Sequence, residues 1–281
     1  MVKVNAPPGQ FQGWSLGDRS PAVIKSVMPF WAWFYQNYFW VKSDGWEHIP
    51  AEQASLFVGS HNGGLASPDM HMAIYDWYRH QGVEKSVYGL AHPSIWKTFP
   101  GLCKVLTQVG GIRAHPRMAI AALESGANVL VYPGGAKDTF RPHSQRDRIK
   151  FANRQGFIKL ALRQHVPIVP IISWGAHDTL WVMADLYDQI KRLHQLGMPW
   201  PLGIDPEVFP IYLGLPWGLA IGPWPNLPLP APIYLRICPP IWFEAYGRHT
   251  LDNQAYIDEC YSTVETKMQL ALDTLISEVE G

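Results

Sequence analysis

The sequence predicts an α/β protein with a largely parallel mixed sheet flanked by helices, and with an aromatic N-terminal segment suited to a membrane interface. Three observations predict it. Short runs rich in Val, Leu and Ile alternate with helix-length amphipathic stretches, the order that produces parallel strand–helix–strand units. Several runs end in Gly or Pro clusters, where a strand gives way to a loop. Near the C-terminus apolar residues recur at Ile257, Tyr261, Val264, Met268, Leu272, Leu275 and Val279, a helical stripe that closes a core.

Taken in order, residues 29–41 (PFWAWFYQNYFWV) are dense in aromatic rings and carry no charge. A spanning helix needs about 20 apolar residues, so this run is too short to cross a bilayer. Its rings suit the headgroup layer as a monotopic anchor, or else cap the domain's own core. Residues 55–58 (SLFV) form a buried strand leading to His61. A Gly-rich turn follows, with Ser67 as N-cap and Pro68 at the first helical position. Residues 86–90 read as a strand, 93–108 as a helix interrupted at Pro100, 110–113 as a tight loop and 116–125 as a helix. Residues 128–132 (NVLVY) form a strand running into Pro133-Gly134-Gly135, 151–164 a helix, and 166–172 (VPIVPII) a strand. The uncharged run 208–235 carries seven prolines, at 210, 216, 223, 225, 228, 230 and 232, which exclude a membrane helix. The chain divides into an N-terminal arm with the aromatic segment, 1–45, and an α/β domain, 46–281.

Composition removes several functions. Zero net charge and a pI of 7.2 give no long-range attraction for nucleic acid. Cys103, Cys238 and Cys260 are odd in number and far apart, without the spacing of a disulfide framework or a zinc site. His92, His115, His143 and His177 lack metal-ligand pairing, so no metal is expected. The first twenty residues contain no signal-peptide core. The expectation is a peripheral or monotopic protein on the cytoplasmic face of a membrane.

In a parallel sheet, sites form at the carboxyl ends of strands. His61, Pro133-Gly134-Gly135 and the segment after Val169-Pro170 all lie at such ends. Asp69, in the first turn of the next helix, can orient one imidazole nitrogen of His61 and leave the other to take a proton from a substrate hydroxyl. His61 and Asp69 around a Gly-rich turn, then Gly111-Ile112-Arg113, Tyr132-Pro133-Gly134-Gly135 and Val166–Pro170, resemble in order the blocks of the glycerolipid (lysophosphatidate-type) acyltransferase superfamily. The usual four residues between His and Asp are here seven, and the usual Pro-Glu-Gly-Thr is Pro-Gly-Gly-Ala, closer to neutral-lipid acyltransferases of the type 2 diacylglycerol acyltransferase kind.

The resemblance implies direct transfer of a fatty acyl group from a thioester to an alcohol. It makes His61 the base and Asp69 its partner, with Arg113, Pro133, Gly134 and Gly135 in the substrate blocks. No bound cofactor is implied; acyl-CoA or an acyl carrier protein is the co-substrate. Lys137 and Arg141 open a basic stretch over 137–163, with Arg146, Arg148, Lys150, Arg154, Lys159 and Arg163 against only Asp138 and Asp147. That stretch suits the donor's phosphates or acidic helix, or forms a solvated helix face. The expected activity is O-acylation of a neutral lipid alcohol at a membrane surface; the alternative acceptor is lysophosphatidate. A lipid hydrolase would want G-x-S-x-G, and Ser60 and Ser173 stand in VGSHN and IISWG. A non-catalytic lipid-binding protein of the same fold is the other rival.

Overall fold

The computed structural model describes residues 10–98, 100–200 and 205–281. A seven-stranded sheet has the order β1 (Lys42–Asp44), β10 (Tyr234–Ile237), β6 (Ile168–Trp174), β2 (Leu56–Gly59), β5 (Asn128–Val131), β3 (Val87–Ala91), β4 (Gly111–Arg113). Every pairing in it is parallel except β10 with β6. A separate antiparallel sheet joins β7 (Trp181–Asp185), β8 (Pro210–Gly214) and β9 (Gly218–Ile221). The expected class, a mostly parallel mixed sheet flanked by helices, is what the chain adopts.

The central strand explains the two-layered core. Side chains alternate across a strand, so Leu56 and Val58 of β2 enter one cluster and Phe57 the other. The first cluster takes in α5 (Pro116–Glu124), α7 (Gly156–Gln164) and α9 (Gln254–Glu280); the second takes in α1 (Pro21–Trp33) and α2 (Pro68–Gln81). A strand covered on both faces reads as an uninterrupted apolar run. On α9, Ile257, Cys260, Val264, Met268, Leu272 and Leu275 are buried, while Tyr261 and Val279 stop at the rim.

Several boundaries differ from expectation. Residues 110–113 are not a loop: Gly110 alone makes the turn, at φ 101°, and Gly111–Arg113 pairs with β3 as an edge strand. The helix expected over 151–164 begins only at Gly156, because Ala152 and Asn153 adopt positive φ and Phe151 is drawn into the core. The strand expected over 166–172 runs Ile168–Trp174. Over 93–108, α3 (Ile95–Thr98) and α4 (Cys103–Gln108) flank a 3₁₀ turn at Pro100–Leu102. The short α6 (Ala136–Thr139) and the exposed α8 (Tyr187–Gln195) complete the helices used below.

The aromatic segment is partly buried in the core and partly exposed. α1 continues past Pro29 and unwinds through a π-type turn at Phe34–Tyr38. Trp31, Tyr35, Phe39 and Val41 are buried against α2 and the sheet, while Phe30, Trp33 and Trp40 are more than half exposed. Among the described residues, no helix is long and apolar enough to cross a membrane.

Candidate active site

Strand β2 delivers Ser60, His61 and Asn62 to the carboxyl edge of the sheet, between β5 and β6. A wide loop follows. Gly63 and Gly64 take φ of +83° and +70°, a 3₁₀ turn covers Gly64–Ala66, and Ser67 is left-handed at φ 43° before Pro68 opens α2. A side chain at Gly63 has no room, since its Cβ would stand 2.7 Å from both Pro68 and the Thr179 hydroxyl. This loop brings Asp69 back to His61 across the seven intervening residues. Ser67, expected as an N-cap, makes no capping bond to the helix.

Asp69 is fully buried. Its Oδ1 lies 3.6 Å from His61 Nδ1, and its Oδ2 accepts the Asn62 amide at 3.2 Å. A separation of 3.6 Å exceeds a hydrogen bond, and catalytic pairs of this kind tighten in the substrate complex. With its proton on Nδ1 facing the carboxylate, the imidazole keeps Nε2 as its basic nitrogen. Nε2 is 3.2 Å from the Ser67 hydroxyl oxygen, whose one proton goes either to Nε2 or to the Gly64 carbonyl at 3.0 Å. The imidazole stacks on Tyr132, with centroids 4.4 Å apart and planes 24° from parallel. Gly59 permits this stack, because a Cβ there would lie 2.4 Å from the Tyr132 ring. Burial first, then the Asp69 and Asp138 charges, hold the Tyr132 phenol well above its ordinary range.

A second carboxylate, that of Asp138, fixes the strand end from below. It accepts the His61 amide and the Ser60 hydroxyl, the latter at 3.1 Å, and pairs with Arg141 at 2.9 Å. Arg141 also donates to the Asn62 side chain at 3.1 Å. Burial pushes the Asp138 carboxyl up, opposed by the adjacent Arg141 guanidinium and the bonds from His61 and Ser60. Burial likewise holds His177, beside Arg141, well below 6.5. The same cause lowers His71, which lies within α2.

The Pro-Gly-Gly block serves this arrangement. A Cβ at Gly134 would stand 2.3 Å from that of Asp138. Gly135 turns at φ 57°, and Arg154 clamps the carbonyls of Pro133 and Gly134 at 3.3 Å each. Thus His61, Asp69, Pro133, Gly134, Gly135 and Arg141 come together. Arg141 departs from the expected contact to donor phosphate: its side chain is 3% exposed and faces Asp138. Lys137 is exposed, with its ammonium 5.8 Å from the Tyr187 ring. Arg113 lies three strands from β2, on the order of 14 Å away at the spacing of a sheet. Its guanidinium sits 4.8 Å over Trp96 and 5.4 Å over Trp14, and donates to the Gln12 carbonyl at 2.7 Å. Sequence reading missed Asp138, Tyr132 and Ser67 as parts of the site. Only the adjacency of Asp138 to the glycines hinted at the first.

A cleft of about 670 Å³ between β10 and α9, lined by Arg236, Cys238, Ile241 and Lys267 among others, contains no part of this network.

Fold and motif blocks define a member of the glycerolipid acyltransferase superfamily. Within it, the chain belongs to the diacylglycerol acyltransferase family, which matches residues 19–263. An uncharacterized protein of Mycobacterium tuberculosis is 26% identical over 252 residues, covering 89% of this chain and 66% of that relative. The chain thus spans just under two thirds of the length of such relatives. Phytyl ester synthase 2, chloroplastic, of Arabidopsis thaliana is 25% identical over 152 residues, 51% of this chain and 21% of that protein. The crystal structure of a 1-acyl-sn-glycerophosphate acyltransferase from Thermotoga maritima aligns over 87% of this chain and 79% of its own, with 17% identity and a TM-score of 0.45.

Proposed function

We propose that this chain is a membrane-surface O-acyltransferase that moves a fatty acyl group from acyl-CoA or an acyl carrier protein to a neutral lipid alcohol: a diacylglycerol, an isoprenoid alcohol or a quinol. The observation that carries the reading is the His61–Asp69 pair at the end of β2, in a chain of the diacylglycerol acyltransferase family.

The acceptor hydroxyl displaces Ser67 from His61 Nε2 and gives up its proton there as its oxygen attacks the thioester carbonyl. Asp69 stabilises the imidazolium that forms. Collapse of the tetrahedral oxyanion expels the thiolate, which takes the proton back from Nε2 and leaves as a thiol. Neither a metal nor a resident cofactor is required by this sequence of steps.

Electrostatics favour a neutral acceptor. Arg141, which bonds to Asn62 beside the pair, is already neutralised by Asp138, and Arg113 is remote and sandwiched by indoles. Arg113 and the exposed Lys137 are left for the donor's phosphates or acidic surface. The name of the Arabidopsis relative, phytyl ester synthase, fits the same choice. Parallel assays with diacylglycerol, a long-chain isoprenoid alcohol and lysophosphatidate at saturating donor test it, with ester expected from the neutral alcohols. A preference for lysophosphatidate that Arg113→Ala abolishes would reverse the acceptor. Free fatty acid alone would mean a hydrolase, and no product a lipid-binding protein.

A further inference from the structure

The second sheet is apolar on both faces. In register, Val182, Tyr212 and Ala220 turn inward against Phe140, Leu180 and Val208. On the opposite face Trp181, Leu213 and Leu219 form one row across the three strands, exposed to 50%, 53% and 65%, with one side of the Trp181 ring stacked on His143 at 3.9 Å. Ile221 and Trp217 extend the row, both more than half exposed. Residues 208–235 contain no Asp, Glu, Lys or Arg. An antiparallel sheet with one free face ordinarily alternates apolar inside with polar outside. A bare apolar face of this kind marks an interaction surface.

We propose that the outer face of β7, β8 and β9 seats the protein on a lipid bilayer, at the boundary between headgroups and acyl chains. The inference deepens the acyltransferase reading and rests on it. Three features select lipid as the occupant. The Trp217 and Trp224 indole N–H groups donate to the Pro225 and Ile221 carbonyls at 2.7 and 2.8 Å, so these rings enter an apolar medium with their donors already satisfied. The lack of charge over 208–235 removes the cost of sinking that segment. β9 is an edge strand whose outer backbone groups still need water, which limits the depth to the interface. The placement also suits the chemistry. Asn226, just beyond β9, donates to the Gly63 carbonyl at 3.1 Å and accepts the Ala66 amide at 3.3 Å, so this lipid face adjoins the loop between His61 and Asp69.

The test uses the full chain with phosphatidylcholine vesicles free of acceptor, at low and high salt. Substituting Leu213→Ser, Leu219→Ser and Ile221→Ser together should lower vesicle partition at least tenfold at either salt. Transfer from a short-chain thioester to a water-soluble alcohol should be unchanged. Undiminished partition overturns the proposal. A nitroxide on Leu219→Cys alone reads the face directly: with vesicles, it should become shielded from a water-soluble relaxation agent and open to oxygen. A signal that stays water-exposed overturns the proposal even where the triple variant fails to fold. Shielding that needs no vesicles and grows with protein concentration assigns the face to a second copy, and overturns it too. Failure of the unaltered chain to transfer acyl groups on soluble substrates counts against the acyltransferase reading, whatever the partition data show.

Discussion

The centre and the edge of the sheet's carboxyl end hold charge in opposite ways. At the centre, His61 is held through its backbone by Asp138 and through its ring face by Tyr132, with Asp69 Oδ1 3.6 Å from Nδ1 and both carboxylates buried. At the edge, Arg113 on β4 is partly exposed and held by two indole faces and one carbonyl, without a carboxylate partner among the described residues. Buried charge pairs fix geometry but cannot reach out to a ligand. A cation held by π faces keeps its full charge for one. On the proposed function, chemistry belongs to the centre and binding to the edge.

The largest expected effect is at the centre. His61→Ala should lower turnover by about 10² to 10⁴-fold while the protein stays folded, since a positioned base contributes that much. Asp69→Asn, which retains size but loses the charge that orients Nδ1, should also lower turnover, by less than His61→Ala does. Near-normal turnover in the first variant removes the division altogether.

Next comes the clamp. Asp138→Ala leaves the Arg141 guanidinium buried without its partner, and chemical denaturation should show a loss of about 3–5 kcal/mol. A loss near zero would mean that the centre is not a buried charge network. Smaller still, Arg113→Ala should raise the KM for the thioester severalfold with kcat little changed, because the edge contributes binding alone. A fall in kcat equal to that of Asp69→Asn would erase the contrast between edge and centre.

The mildest effect is on pH dependence. Burial depresses the folded-state pKa of His177 far below 6.5, whereas the unfolded chain takes up that proton near 6.5. Below that pH the unfolded state binds more protons, so stability falls as pH drops, by up to about 1.4 kcal/mol per unit from this one group. His71 is shifted in the same direction. Melting curves between pH 7 and 5 should therefore slope less in His177→Gln, without becoming flat.

Much of the fold was legible because its strands are short uninterrupted apolar runs, and β2 and β5 lie where those runs predict. The π-type turn and the β4 edge were not, since both depend on which partner the backbone meets, which periodicity does not record. In the site, His61 and Asp69 could be read from order and chemistry, although their approach rests on two left-handed glycines and a left-handed Ser67. In the sequence, Asp138 reads only as an offset to a basic stretch. Its true position follows from a close backbone approach at Gly134, which no charge pattern encodes. The proline-rich run over 208–235 was excluded only as a spanning helix, while the apolar outer face of β8 and β9 follows from cross-strand register.

His61, the proposed base, rides on the strand with most to lose by opening. β2 lies between β5 and β6, and Leu56, Phe57 and Val58 are at most 1% exposed. Backbone amides in such a strand exchange with deuterium only through global unfolding. Thermal inactivation of acyl transfer should then coincide with loss of the whole fold, leaving no temperature window of folded but inert protein. Loosening confined to the β7–β9 sheet would be recorded earlier, as failing attachment to lipid rather than failing chemistry.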